Sequence, residues 1–267
     1  MYRVFFLVAV FFACTLLGGL EPLQAHPEDE FCIGDSGLDP ELCRALAELD
    51  SAGEDDPQSV FYGTTEIQGI ELDRSVWETI GLYIELGFIH ILPKGYDHIL
   101  FVLALFLAST KWRPLLLQVS AFTLAHTLTL GFAAAGFISV PAGIVEPLIA
   151  LSIAVVAIEN IFFRDLTRWR PLVVFGFGLF HGLGFAGVLS DLGLVRDQFL
   201  VSLISFNVGV EFGQLAVIGL ALAATLLARR FVPMLSTEDG YRQYVVWPAS
   251  ALIAFMGMFW FLSRVFG

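Results

Sequence analysis

Residues 86–107 form a mostly apolar run that contains three side chains able to do chemistry, His90, Asp97 and His98. Ionisable groups at membrane depth are costly and are usually retained for a function. The two imidazoles and the carboxylate converge on a Pro-Lys-Gly break in the run. This combination predicts either ligands for a divalent metal ion or a proton relay.

Two later apolar segments carry polar stripes at helical spacing. Asn207, Glu211 and Gln214 follow an i, i+4, i+7 pattern, which places them on one helix face. Thr123, His126 and Thr127 form a second stripe. Because a polar stripe in a bilayer must face protein or water, we expect two helices to turn these sides toward a common interior.

The candidate metal ligands are the imidazole, carboxylate and amide side chains that fall inside apolar segments. They are His90, Asp97, His98, His126, Glu146, His181, Asn207 and Glu211. Imidazole with carboxylate suits nickel, zinc, cobalt, iron or copper, and geometry must choose among these metals. The structural alternatives are a charge at a helix N-terminus for Glu146, an interfacial side chain for His90, and hydrogen bonds between helices for His126, His181, Asn207 and Glu211. The sequence predicts no catalytic residues and no cofactor other than this ion.

The composition is that of a membrane protein with a short acidic extension. The hydrophobic share is 57% and the mean hydropathy is +0.78, both far outside the range of soluble domains. Residues 26–76 hold 14 acidic residues against two arginines, so this segment alone accounts for the net charge of −12. Nucleic acid is excluded as a partner because no basic patch is present, and no nucleotide-binding motif is found.

The first 25 residues predict a secretory signal peptide, with Arg3 as the basic residue before an apolar core and Ala25 at the cleavage site. The alternative is an uncleaved anchor helix. Residues 26–76 then form an acidic exported segment. Cys32 and Cys43 within it predict a disulfide in an oxidising compartment, with a pair of thiol metal ligands as the alternative.

Residues 77–267 predict an all-α, polytopic membrane bundle of six transmembrane helices. The six spans are 96–110, 114–137, 143–163, 171–190, 198–228 and 244–265. Residues 77–92 are apolar but contain Glu78 and Glu85, so they predict a segment that lies at the outer surface or dips in and turns back. A seventh span at this place is the alternative.

The loop charges favour the six-span topology with residue 76 outside. In this topology eight basic residues fall on the inner side, as the positive-inside rule requires, and a seventh span would reverse this bias. These residues are Lys111, Arg113, Arg164, Arg168, Arg170, Arg229, Arg230 and Arg242.

Several short motifs, in this order, resemble the HupE/UreJ family of membrane proteins over residues 80–265. They are Gly87-x-x-His90-Ile-x-x-x-Gly95-x-Asp97-His98-Ile-Leu-Phe101, Phe122-Thr123-x-Ala125-His126-x-x-Thr129-Leu130, Glu146-x-x-Ile149-Ala150-x-Ser152, Glu159-Asn160 and Phe175-Gly176-x-Gly178-Leu179-x-His181-Gly182-x-Gly184-Phe185-Ala186. The resemblance implies nickel passage in service of hydrogenase or urease maturation. It also implies that His90, Asp97 and His98 are the outer ligands. The acidic segment is not part of the resemblance.

The predicted function is that of a permease that binds a divalent transition metal from the outer face, with nickel favoured by the resemblance. The signal peptide, the spans and the resemblance together predict the bacterial inner membrane, with residues 26–76 in the periplasm. An accessory protein that delivers metal to a metalloenzyme partner is one alternative. An intramembrane metal-dependent hydrolase is another, although the sequence has no HExxH motif.

Overall fold

The computed structural model describes residues 75–109, 111–185 and 198–266, and within these ranges the chain is helical with no strand. The predicted signal peptide, the acidic segment and the pair Cys32 and Cys43 lie outside the described residues. The all-α fold class is confirmed for the part that is described.

The helices follow one another with short connections. In chain order they are α1 (Val76–Ile91), α2 (Tyr96–Ala108), α3 (Trp112–Ala134), α4 (Ala142–Phe162), α5 (Arg170–Gly184), α6 (Phe199–Phe231), a 3-10 turn (Pro233–Leu235), α7 (Glu238–Tyr241), a π-helical turn (Arg242–Val246) and α8 (Trp247–Phe266). Each of the six predicted spans overlaps one of these helices.

Four helical segments are long and apolar enough to cross a membrane: α3, α4, α6 and the continuous stretch Glu238–Phe266. Helices α1 and α2 are long and apolar enough only when they are taken together. They form a bent pair that is either a broken span or a re-entrant loop, and this pair is a fifth candidate. The predicted count of six is therefore not confirmed. Helix α2 has only 13 residues, and α5 has 15 before the described stretch ends at residue 185. Both are shorter than the roughly 20 residues that a bilayer core requires.

A sharp elbow joins α1 to α2, and the two helix axes differ in direction by 72°. Helix α1 ends at Ile91, and the next peptide bonds include a cis bond between Leu92 and Pro93. Gly95 lies so close to the backbone that a Cβ atom there would overlap the carbonyl oxygen of His90. The elbow therefore places the last turn of α1 beside the first turn of α2, at the place where the sequence predicted that the chain turns back.

The bundle is assembled from three closely packed helix pairs, α1 with α6, α3 with α5, and α4 with α8. Glycine permits the closest approaches. A Cβ atom at Gly209 of α6 would overlap the carbonyl oxygen of Ile84 in α1, and one at Gly182 of α5 would overlap that of His126 in α3. Small residues let helices in lipid pack backbone to backbone, so these contacts fix the spacing of the polar residues beside them.

A buried arginine, Arg170, joins three other polar side chains, Gln118, Glu159 and Asn160, and we name these four residues the arginine cluster. The guanidinium nitrogens of Arg170 donate to Gln118 Oε1 at 2.9 Å and Asn160 Oδ1 at 3.1 Å, and contact Glu159 Oε2 at 2.8 Å. The amide nitrogen of Asn160 donates to the carbonyl oxygen of Ala104 at 2.8 Å. The arginine cluster therefore ties α2, α3, α4 and α5 together.

Candidate metal centre

The elbow brings His90 of α1 and His98 of α2 together, and His126 of α3 completes a first group. The ring centroids of His90 and His98 are 4.8 Å apart, and those of His98 and His126 are 5.8 Å apart. One possible ligand atom from each of the three residues lies within 4.8 Å of the other two. Histidines from three different helices thus converge on one point inside the bundle.

Asp97, His98 and His181 form a second group that shares His98 with the first. Their possible ligand atoms also lie within 4.8 Å of one another, and the His98 and His181 ring centroids are 4.9 Å apart. We name the five residues of both groups, His90, Asp97, His98, His126 and His181, the histidine cluster. Donor atoms about 2.1 Å from one ion are at most about 4.2 Å from each other, so binding requires only small side-chain rotations.

Three of the rings are oriented by a hydrogen bond at one nitrogen. His98 Nδ1 lies 2.9 Å from Asp97 Oδ1, and His126 Nδ1 lies 3.0 Å from Asn207 Oδ1. Since the Asn207 amide nitrogen donates to the Leu203 carbonyl at 2.8 Å, its oxygen faces His126 as the acceptor. The hydrogen-bond network therefore assigns the proton of both rings to Nδ1, which leaves Nε2 with a lone pair.

His181 is held by the opposite nitrogen. Its Nε2 lies 3.0 Å from Ser152 Oγ, and the Ser152 hydroxyl donates its one hydrogen to the Ile149 carbonyl at 2.6 Å. Ser152 must therefore accept from His181, which assigns the ring proton to Nε2 and the lone pair to Nδ1. Metal-binding histidines usually donate their other ring N–H in this way, because the bond fixes the tautomer and the ring orientation.

The remaining nitrogens of these three rings are buried without a hydrogen-bond partner among the described residues. They are Nε2 of His98, Nε2 of His126 and Nδ1 of His181. The three side chains are only 0–3% exposed, whereas the Asp97 side chain is 28% exposed. A buried nitrogen lone pair with no donor nearby is costly, and a metal ion would satisfy it. The residues present therefore fit a divalent transition metal.

Aromatic rings pack against the histidine cluster. His181 lies against Phe101 and Phe122, at ring-centroid distances of 5.2 and 4.9 Å, and His90 lies against Phe185 at 4.1 Å. An apolar shell of this kind limits water access and strengthens electrostatic interactions inside it.

Glu146 lies apart from the histidine cluster. Its carboxylate is 3.6 Å from Nε of Arg264, and its carbonyl oxygen accepts a hydrogen bond from Arg264 Nη1 at 2.9 Å. The groups of possible ligands found among the described residues do not include it. The structure thus gives Glu146 an ion-pair partner in α8, and its predicted role as a ligand stays a prediction.

Asn207 and Glu211 occupy the α3–α6 contact, as the two polar stripes predicted. Asn207 reaches the histidine cluster through its hydrogen bond to His126. Glu211 accepts hydrogen bonds from Ser120 at 3.0 Å and from Thr123. It lines a groove of about 320 Å³ between α3 and α6, outside both groups of possible ligands. The expected meeting of the two stripes is confirmed, but they bring only His126 to the histidine cluster.

Ser152 belongs to this site, although sequence reasoning assigned it no role there. It stands in an apolar segment of α4, 29 positions before the histidine that it orients. Ser152 is part of the motif Glu146-x-x-Ile149-Ala150-x-Ser152, but a serine in an apolar helix commonly bonds to its own helix backbone, so the motif does not indicate the contact with His181.

The fold and the site define a polytopic helical membrane protein with buried histidine and aspartate groups that could hold a metal ion. A family model described as HupE / UreJ protein matches residues 66–264, and the chain belongs to this family. The family is associated with nickel and metal handling. Neither the curated proteins nor the solved structures contain a match to the chain.

Proposed function

We propose that this protein binds a divalent transition-metal ion in the histidine cluster and passes it across the bacterial inner membrane, with nickel as the favoured cargo. The observation that carries the proposal is the trio of buried, unpartnered nitrogens on His98, His126 and His181. Each ring is held at its other nitrogen, so the lone pairs are oriented before an ion arrives.

The ligand types suit an ion that must be released again. Conduction requires a site that binds strongly enough to admit the ion and weakly enough to let it leave. The histidine cluster contains one carboxylate and no thiolate among the described residues, and imidazole and carboxylate suit nickel, cobalt and zinc better than soft Cu(I). Asp97 carries the negative charge of the site and is its most exposed member, at 28% against 0–6% for the four histidines, which favours it as the first contact for an arriving cation.

The position of the cluster along the helices supports entry from the outer side. His126 is eight residues from the C-terminal end of α3, about 12 Å at the helical rise, and that end is the outer one in the predicted topology. His98 lies in the first turn of α2, which begins at the elbow. We propose that residues 26–76 face the periplasm and that their acidic side chains attract cations toward this side. Salt screens this attraction beyond the Debye length of roughly 8 Å.

Metal binding and uptake by the purified, liposome-reconstituted protein test the proposal. We expect wild-type protein to bind Ni²⁺ and to take up radioactive nickel, and His98→Ala to lose both, since His98 belongs to both ligand groups. Asn160→Ala is the matched control, because it removes a buried polar side chain from the arginine cluster and leaves the histidine cluster intact. Equal nickel binding by wild type and His98→Ala would overturn the proposal.

A further inference from the structure

Three acidic residues of the helical bundle have different electrostatic surroundings. Glu159 contacts Arg170 at 2.8 Å, and Glu146 contacts Arg264 at 3.6 Å. Glu211 is in no ion pair with any residue that the structure describes, and its hydrogen bonds come from hydroxyl groups alone. It is thus the acid of this set that has no positive charge to balance it.

Glu211 lies at the depth where an ionised carboxylate is most costly. It accepts a hydrogen bond from Thr123, which is the central residue of the 23-residue helix α3. Eleven residues on each side correspond to about 16 Å, so Thr123 lies near the middle of a hydrocarbon core about 30 Å thick. Glu211 is half-buried and faces the α3–α6 groove. A charge at this depth needs a partner, or the group takes up a proton and becomes neutral.

The elements packed on α6 supply no cation to this groove. Helices α1, α2 and α3 and the 3-10 turn contact α6, and Glu238 and Tyr241 contact its far end at Arg229 and Thr225. None of the charged or titratable side chains of these elements lies within 4.0 Å ion-pair distance of Glu211 in the described ranges. These side chains are Glu78, Tyr83, Glu85, His90, Tyr96, Asp97, His98, Arg113 and His126, with Lys94 between α1 and α2 and Lys111 just before α3.

The hydrogen-bonding groups around Glu211 include more acceptor oxygens than hydroxyl donors. The single hydroxyl hydrogen of Thr123 faces Glu211 Oε2, Gln214 Oε1 at 3.1 Å and the Val119 carbonyl at 3.2 Å. A proton on Glu211 would add the missing donor and free Thr123 to bond to one of the other oxygens. Rotating the Gln214 amide would turn its buried, unpartnered nitrogen toward Thr123 and supply one donor, but it would leave the carboxylate without a balancing charge.

We propose that Glu211 is a proton-binding carboxyl group and that its protonation is coupled to passage of the metal ion. This inference rests on the proposed function for the coupling, although not for the proton site itself. One proton from the outer solution binds a carboxylate oxygen of Glu211, forms the neutral acid, and leaves to the inner solution as the ion passes. No bond other than this O–H bond is formed or broken, and nothing is oxidised or reduced.

The coupling has a structural basis in the pair of helices that carries both sites. His126 of α3 bonds to Asn207 of α6, and one turn away Thr123 of α3 bonds to Glu211 of α6. A metal ion on His126 and a proton on Glu211 therefore act on the same α3–α6 contact. Two ligands that bias one such element influence each other's binding.

Infrared spectroscopy of the reconstituted protein tests the proton site without any metal. At neutral pH we expect wild type to show the C=O stretching band of a neutral carboxyl group, which Glu211→Gln loses. Glu85→Gln is the matched control, since Glu85 is an exposed acid of α1, and it keeps the band. An identical carboxyl band in wild type and Glu211→Gln would overturn the proton site, and so would a band that Na⁺ removes at constant pH.

Nickel uptake into liposomes under an imposed pH difference tests the coupling. One proton per ion allows up to about tenfold more accumulation for each pH unit, because one unit corresponds to 1.36 kcal/mol. We expect wild type and Glu85→Gln to respond to the pH difference. Glu211→Gln should not respond, while it still binds nickel within about twofold of wild type and still exchanges nickel for nickel. A full response in Glu211→Gln would overturn the coupling.

The two experiments separate failure of this inference from failure of the proposed function. Absence of nickel uptake in every variant would remove the proposed function and the coupling together, and the infrared band would still decide whether Glu211 binds a proton. Normal wild-type uptake that ignores the pH difference would remove the coupling and leave the proposed function in place.

Discussion

Two polar clusters lie inside the same bundle, and they differ in whether all of their polar atoms have hydrogen-bond partners. In the arginine cluster, each of the three guanidinium nitrogens of Arg170 has an oxygen partner, and both amides are bonded at oxygen and nitrogen. In the histidine cluster, three rings are held at one nitrogen and leave the other unpartnered. A cluster in which every polar atom has a hydrogen-bond partner is typical of a structural contact between helices, whereas oriented lone pairs without a partner indicate a binding site for a ligand.

The arginine cluster gives the largest expected effect on stability. Arg170→Ala leaves the Glu159 carboxylate and the Gln118 and Asn160 amides without their shared partner, so we expect unfolding to become easier by about 3–5 kcal/mol. Denaturant unfolding of the purified protein in detergent measures this change. Nickel affinity of the folded fraction should stay within a fewfold of wild type. A stable Arg170→Ala protein with lost nickel binding would reverse the roles that the comparison assigns to the two clusters.

The residues that orient the rings should show an intermediate effect, on metal affinity. Ser152→Ala removes the acceptor for His181, and Asn207→Leu removes the acceptor for His126. Loss of such an orienting partner typically lowers metal affinity by about 10–100-fold. Titration with Ni²⁺ followed by calorimetry checks both variants. Asn207→Asp keeps an acceptor oxygen and should recover most of the loss, and failure of this rescue would mean that Asn207 does not act through His126.

The smallest effect is expected when a ring with an unpartnered nitrogen is replaced in the metal-free protein. His181→Phe keeps an aromatic ring among Phe101 and Phe122 and removes one buried, unsatisfied nitrogen. The stability without metal should therefore change by less than about 1 kcal/mol, since Ser152 is the only hydrogen-bond partner that the His181 ring loses among the residues that the structure describes. Thermal unfolding with a chelator present measures it. A loss as large as that of Arg170→Ala would show that His181 is structural.

Much of the histidine cluster could be predicted from the sequence, because ionisable residues in apolar segments are rare. His90, Asp97, His98, His126 and His181 were all candidate ligands, and the structure brings these five together. Their convergence depends on the elbow, which the Pro-Lys-Gly break indicated. Their role as metal ligands is our proposal.

The remaining roles could not be predicted, because they depend on side-chain directions at helix contacts. Sequence spacing places Asn207 and Glu211 on one face, but only the packing of α6 on α3 shows that one bonds to a histidine and the other to hydroxyl groups. Glu146 forms an ion pair with Arg264, which is 118 positions later in the sequence, and no local sequence pattern predicts such a pair. The number of spans was also uncertain from hydropathy, since α2 and α5 are short and α1 bends into α2.

X-ray absorption spectroscopy of the nickel-loaded, purified protein tests most directly whether the oriented lone pairs hold the ion. We expect a first shell of nitrogen and oxygen atoms without sulfur, and the multiple-scattering signature of at least two imidazole rings. This signature should weaken in His98→Ala and stay unchanged in Asn160→Ala. A spectrum of oxygen ligands alone, the same in wild type and His98→Ala, would show that nickel does not bind the histidine cluster.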